Sequence, residues 1–214
     1  MTREKDIAKK LLEIKAIFLN PEKPFIWASG IKSPIYCDNR LILSFPKVRE
    51  EIENELANII KEEYPECEGI MGTSTAGISH AAIVASILNL PMGYVRTKAK
   101  IHGRNNKIEG IVKKGQKIVV IEDLISTGGS CIDVVQALRE VGANVLGVAS
   151  IFTYNMDVSK KNLEELNIKN RSCTNYDELI NVAIENNYIK EKQKKSLLMF
   201  RDNPNNDCLY SNKN

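Results

Sequence analysis

Residues 117–130 read KIVVIEDLISTGGS, and the order of residue types in this stretch decides the fold class. An apolar, β-branched run ends in two acids, Glu122 and Asp123. A short loop through Ser126, Thr127, Gly128 and Gly129 then opens a helical pattern from about Ser130 to Val141, which Gly142 ends. A continuous apolar run of this kind suits a strand covered on both faces, as in a parallel sheet. The tip of such a strand is where α/β sheets bind ligands. The glycines let backbone N–H groups approach a phosphate closely. The helix start adds unpaired N–H donors and a favourable dipole. Acids beside an anion nest would repel a bare phosphate, but they make sense if the ligand also has hydroxyls to be accepted, as a ribose 5-phosphate does. The plainer alternative is a βα turn with Ser130 as its N-cap; it leaves the paired acids without a use. The loop is neither a Walker A motif nor the dinucleotide GxGxxG pattern.

Outward from this stretch, short apolar runs alternate with helical patterns. Residues 69–74 (GIMGTS), 91–96 (PMGYVR) and 144–152 (NVLGVASIF) read as strands, and 76–90 as a helix. The implied class is α/β, with a central, mostly parallel sheet flanked by helices. Before it, Ile7, Leu11, Ile14 and Phe18 recur at helical spacing and predict a helix over about 3–19. The stretch 24–42 predicts two short strands with a turn near Gly30. Pro46 opens a helix to about Tyr64. Helices are also expected over 176–189 and 190–200, followed by a polar, frayed tail after Pro204. The chain reads as one domain over 1–214, with a polar, basic loop over 98–115.

Composition narrows the class further. Hydrophobic residues make up 43% and charged residues 27% of 214 positions, as in a globular domain that can bury a core without staples. Thirty basic and 27 acidic side chains leave a net +3, too balanced to argue for nucleic acid. Cys37, Cys67, Cys131, Cys173 and Cys208 are scattered, with no CxxC pair, so neither a disulfide framework nor a zinc site is expected, and a cytoplasmic setting is. Charges interrupt the N-terminal apolar pattern, and no segment reaches spanning length, so no membrane role is expected.

Two further stretches bear on chemistry. MGTSTAGISHA (71–81) is a second strand–loop–helix junction and a second candidate anion nest, in which His80 sits on an apolar helix face and is expected to be packed. YVRTKAKIHGRNNKIEG (94–110) carries Arg96, Lys98, Lys100, His102, Arg104 and Lys107 with almost no acid. A run like this is commonly a solvated loop. Beside a polyphosphate site its cations can neutralise a departing pyrophosphate.

VVIEDLISTGGS resembles the identifying stretch of the type I phosphoribosyltransferases, which bind phosphoribosyl pyrophosphate (PRPP). Two other segments resemble the orotate branch of that family. Arg96, Lys100, His102 and Gly103 match its lid pattern R-x-x-x-K-x-H-G, and Ser29, Gly30, Ser33, Pro34 and Tyr36 match the hood that covers the base site. The resemblance runs from the first helix to about residue 200. It implies that PRPP is held by Arg96, Lys100 and His102 and by the run Glu122, Asp123, Leu124, Ile125, Ser126, Thr127, Gly128, Gly129 and Ser130. In that reading the acids face the ribose hydroxyls and the loop holds the 5-phosphate. It implies Lys100, His102 and Asp123 as catalytic residues, Ser126 as an orotate contact, and Mg²⁺ held mainly by PRPP. It also implies a hood over about 20–45 and a lid over about 97–112 that is shared across a homodimer. Two positions depart from the pattern: Ala28 replaces a frequent Lys, and Tyr154 stands near the place of a frequent orotate-contacting Arg. The rival expectations are a phosphoribosyltransferase for another base, a PRPP-sensing regulator that binds nucleic acid, and a nucleotide-binding domain of other purpose.

Overall fold

In the computed structural model, which describes residues 2–26, 30–96 and 107–204, the apolar strand of the opening motif lies inside a six-stranded sheet. This strand, β8 (Lys117–Ile125), runs parallel to β5 (Gly69–Thr73) on one side and β9 (Asn144–Thr153) on the other. Outward from β5 lie β6 (Met92–Val95) and β7 (Ile108–Glu109), and β10 (Asn170–Asn175) closes the far edge beyond β9. Every pairing is parallel except β6–β7. Ile118, Val119, Val120 and Ile121 are all buried because apolar layers cover both faces of the sheet. Val119 and Ile121 face the layer that includes α1 (Arg3–Glu13), α2 (Pro46–Glu63), α3 (Ala76–Leu88), α6 (Tyr176–Glu185) and α7 (Lys194–Asp202). Ile118 and Val120 face a second layer with α4 (Gly129–Glu140) and Leu163 of α5 (Asp157–Glu165).

The N-terminal segment departs from the expected helix over 3–19. Helix α1 stops at Glu13, Lys15 turns at φ 58°, and β1 (Ile17–Leu19) follows. β1 pairs antiparallel with β4 (Ile35–Cys37), so Phe18 belongs to a strand and is 42% exposed. The apolar spacing of Ile7 and Leu11 continues by coincidence into this ribbon. The two strands expected around Gly30 are β2 (Phe25–Ile26) and β3 (Lys32–Ser33), paired antiparallel with Gly30 at φ 85°. The Ser33 hydroxyl donates to the Ile35 carbonyl at 2.7 Å and accepts the Ile35 N–H, locking the chain into β4.

Part of the expected lid is strand. Ile108 is buried against the sheet, and β7 pairs with β6, so Ile108 and Glu109 of the expected lid belong to the sheet edge, whereas Ile111 beyond them is 84% exposed. Two elements carry little apolar signature: α5, and β10, whose sequence is NRSCTN. β10 is an edge strand, where polar residues are tolerated. Its Ser172 hydroxyl lies 2.6 Å from that of Ser150 on β9. Among the described residues, no helix is long and apolar enough to cross a membrane.

Candidate active site

The loop after β8 holds its shape through backbone geometry. Gly128 caps α4 at φ 86°, a conformation that costs a side-chain-bearing residue steric strain. Its carbonyl accepts the Ile132 N–H at 3.1 Å and the Cys131 thiol at 3.1 Å. Asn162 on α5 donates to the Thr127 carbonyl at 3.1 Å, bracing the loop from behind. The Gly129 position is open, since a Cβ there would meet no protein atom within 4 Å. Ser126, Thr127, Gly128, Gly129 and Ser130 all line one cavity of about 390 Å³. Across from them stand Thr73 and Ser74 at the tip of β5, and Arg96 and Lys107 at the inner ends of β6 and β7.

The two acids lie on opposite faces of β8. Glu122 and Leu124 line the cavity. Asp123 turns towards the segment that follows β4, where the Asn39 side-chain amide donates to its backbone carbonyl at 2.7 Å and its charge acts on Cys37 and Arg40. Asp123 and Ile125 are not among the cavity-lining residues, and the Ile125 side chain is buried in the α4-side core. Glu122 is 5% exposed. Burial, reinforced by the Asp123 charge, pushes its carboxyl up to about 8, against the pull of a hydrogen bond from Thr73. The Cys131 thiol, buried beside Glu122, is pushed up to about 12.

The β5–α3 junction packs unusually closely against β8. A Cβ on Gly77 would lie 2.5 Å from Thr73 Oγ1 and 2.6 Å from the Ile121 carbonyl oxygen. Gly77→Ala is therefore expected to cost about 1–3 kcal/mol, read as a lowered Tm, and to weaken ligand binding as Thr73 is displaced. An unchanged Tm would show that the junction yields freely.

Other anticipated residues are placed as follows. Lys100 and His102 lie outside the described residues, as does Ala28. Arg96 and Lys107, the described residues on either side of the stretch that carries Lys100 and His102, are joined directly, the Arg96 N–H donating to the Lys107 carbonyl at 2.8 Å. The Arg96 guanidinium also meets Glu109 at 3.4 Å. Tyr154 does not reach the cavity. It is 2% exposed in the core, its ring 5.5 Å from Phe152 and 5.8 Å from Tyr176. His80 is packed as expected, fully buried, with Nδ1 2.6 Å from Oε1 of the equally buried Glu53. Thr73, Ser74, Lys107 and Asp133 line the cavity without having been singled out as site residues. Lys107 had its basic run as a signal. The Thr73–Glu122 contact spans 49 positions and had none.

A glycine-rich loop at a helix start, a buried acid and two cations thus line one cavity at a parallel strand tip, a combination chemically suited to a sugar phosphate. A family model for the phosphoribosyl transferase domain matches residues 42–187, and the chain belongs to that family. The orotate phosphoribosyltransferase of Listeria innocua is 59% identical over 95% of this chain and 98% of its own. That of Bacillus cereus is 55% identical over 96% and 98%. These relatives set the chain in the orotate branch. Among solved structures, Leishmania donovani UMP synthase superposes with a TM-score of 0.78 at 26% identity, over 92% of this chain and 42% of that one. Orotate phosphoribosyltransferase from Aeropyrum pernix shares the fold, with a TM-score of 0.74 at 24% identity, over 86% of this chain and 99% of that one.

Proposed function

We propose that this chain transfers the 5-phosphoribosyl group of PRPP to orotate, yielding orotidine 5′-monophosphate and pyrophosphate for pyrimidine synthesis. The observation that carries the reading is the single cavity in which Glu122 and the Ser126–Ser130 cradle face Arg96 and Lys107. The cradle grips the 5-phosphate through N–H and hydroxyl donors. Glu122, and Asp123 from the hood side, accept ribose hydroxyls and stabilise positive charge on the ring as the C1–oxygen bond breaks. The attacking orotate nitrogen gives up its proton readily, forms the new bond to C1, and pyrophosphate departs with the electron pair. No nucleophilic Ser or Cys is needed; positioning and charge supply the acceleration. Ser126 lines the cavity and is assigned to orotate.

Magnesium is part of the proposal. Among the described residues no group of three or more His, Cys, Asp or Glu side chains is arranged to hold a metal. Glu122 and Asp133 are the carboxylates in the cavity lining among the described residues, too few to cage an ion; this fits Mg²⁺ held by PRPP itself, since the ion keeps its waters and prefers substrate oxygens to a protein cage. Bound with PRPP, the ion would supply charge neutralisation to the pyrophosphate. A homodimer in which Lys100 and His102 serve the neighbouring subunit's cavity, and a cytoplasmic setting, belong to the same reading. The near-balanced charge gives no support to a nucleic-acid partner.

One assay tests this directly: the fall in orotate absorbance with PRPP and Mg²⁺. Consumption of orotate is expected, with no reaction of adenine, hypoxanthine or uracil. Preference for another base would move the chain to a different branch, and salt-sensitive nucleic-acid binding without turnover would mark a regulator. Asp123→Asn is expected to raise the KM for PRPP about tenfold or more, as for loss of a charged hydrogen-bond acceptor. Unchanged PRPP kinetics would remove its role at the ribose.

A further inference from the structure

Thr73 ends β5, is 1% exposed, and lines the cavity. Its Oγ1 lies 2.6 Å from Oε1 of Glu122 and 3.2 Å from the Ile121 carbonyl oxygen. The hydroxyl has one proton for these two acceptors, and the shorter contact assigns it to the carboxylate. The same Oε1 accepts the Asp123 N–H at 3.0 Å. Oε1 is thus engaged from two sides, while Oε2 of Glu122 is buried with no hydrogen-bond partner. A buried, unpaired carboxylate oxygen is costly unless a ligand completes it. Gly77 leaves the room that Thr73 occupies, because a Cβ there would meet Oγ1 at 2.5 Å.

We propose that Thr73 is a positioning residue for the transfer reaction: its hydroxyl fixes Glu122 by one oxygen and so reserves the other for a hydroxyl of the bound sugar phosphate. The assignment rests on the function proposed above. It joins the β5 loop to the acid on β8, two segments 49 positions apart. It also gives the contact a pH signature. The Thr73 hydrogen bond favours the ionised form of Glu122, whereas burial and Asp123 favour the neutral form. Besides Asp123 on its own strand, the charged or titratable groups lining the cavity among the described residues are Cys131 and Asp133 on α4 and Arg96 and Lys107 beside β6 and β7; α3 contributes none of the lining. Without the hydroxyl, the carboxylate that accepts a sugar hydroxyl forms only at higher pH.

The test compares Thr73→Val, which keeps the shape and removes the hydroxyl, with Thr73→Ser, which keeps the hydroxyl. PRPP kinetics would be followed from pH 6 to 9 in each. Thr73→Val is expected to raise the KM for PRPP about tenfold, to leave kcat less affected, and to move the rising limb of kcat/KM to higher pH. Thr73→Ser should restore both the KM and the limb. In a Glu122→Gln background, Thr73→Val should no longer move the limb. A Val variant with wild-type KM and pH profile overturns the proposal. So does a Ser variant as impaired as Val, which would mark a packing role. If the wild-type chain itself leaves orotate and PRPP unreacted, the functional reading fails first; if it turns over normally and Val matches it, only the role of Thr73 falls.

Discussion

Replacing Lys100 by alanine is expected to lower turnover about 100-fold or more, with only a modest change in PRPP affinity. The departing pyrophosphate gathers negative charge as the C1–oxygen bond stretches. A cation that meets that charge chiefly in the transition state contributes to kcat rather than to ground-state binding. Arg96 and Lys107, which bracket the segment carrying Lys100, both line the cavity. The Arg96 guanidinium is already shared with Glu109, which leaves more of the leaving-group charge for the cations between them. Single-turnover measurements with saturating PRPP would read the effect on chemistry alone. Near-wild-type turnover in Lys100→Ala would discard the lid assignment, and an equal loss in affinity would make Lys100 a binding residue instead.

The second large effect is on stability. Glu53 of α2 and His80 of α3 have no exposed surface, and Glu53 Oε2 and His80 Nε2 have no hydrogen-bond partners. The pair joins two helices through a single 2.6 Å contact in an otherwise apolar layer. Glu53→Ala would strip the imidazole of its partner and leave a void, at a cost of about 3 kcal/mol or more. Urea unfolding would measure it; a loss below about 1 kcal/mol would show that the imidazole finds water or another acceptor. A pH signature accompanies it. Burial raises the Glu53 carboxyl above its ordinary value, against the pull of His80. The folded chain then binds that proton more tightly than the unfolded chain does. This contribution is full below the ordinary carboxylate range and is lost as pH rises through the raised value. Glu53→Gln should flatten that part of the stability profile.

The phosphate cradle was legible because its chemistry is local. The residues of 122–130 are consecutive, so strand tip, turn and helix start could be read from one line of sequence. The sheet's central strands were legible for a similar reason, since burial on both faces demands unbroken apolar runs such as 118–121. What escaped depends on distant partners. β1 and β4 stabilise each other across the first helix's exit, and neither is long enough to show a period of two. β10 is polar and exists because β9 offers it an edge. Tyr154, which stands near the place of a frequent orotate-contacting Arg, follows directly on β9 and packs inward among Phe152 and Tyr176, a placement that its local sequence does not show. The opposite orientations of Glu122 and Asp123 follow from the alternation of a strand; adjacent acids on a strand cannot share a face. Thr73 could be recognised only once β5 lay beside β8.

The amide of Asn39 reaches across 84 positions to the backbone at Asp123. During synthesis the segment that carries Asn39 must therefore wait for more than half of the chain before its anchor exists, and β8 must wait for β9 before both its edges are paired. Contacts so distant in sequence form late and slowly. Competence to hold a sugar phosphate should consequently be among the last properties a nascent chain acquires, and the ligand itself, by binding only the finished form, should stabilise folding variants by an amount that grows with the logarithm of its concentration above Kd.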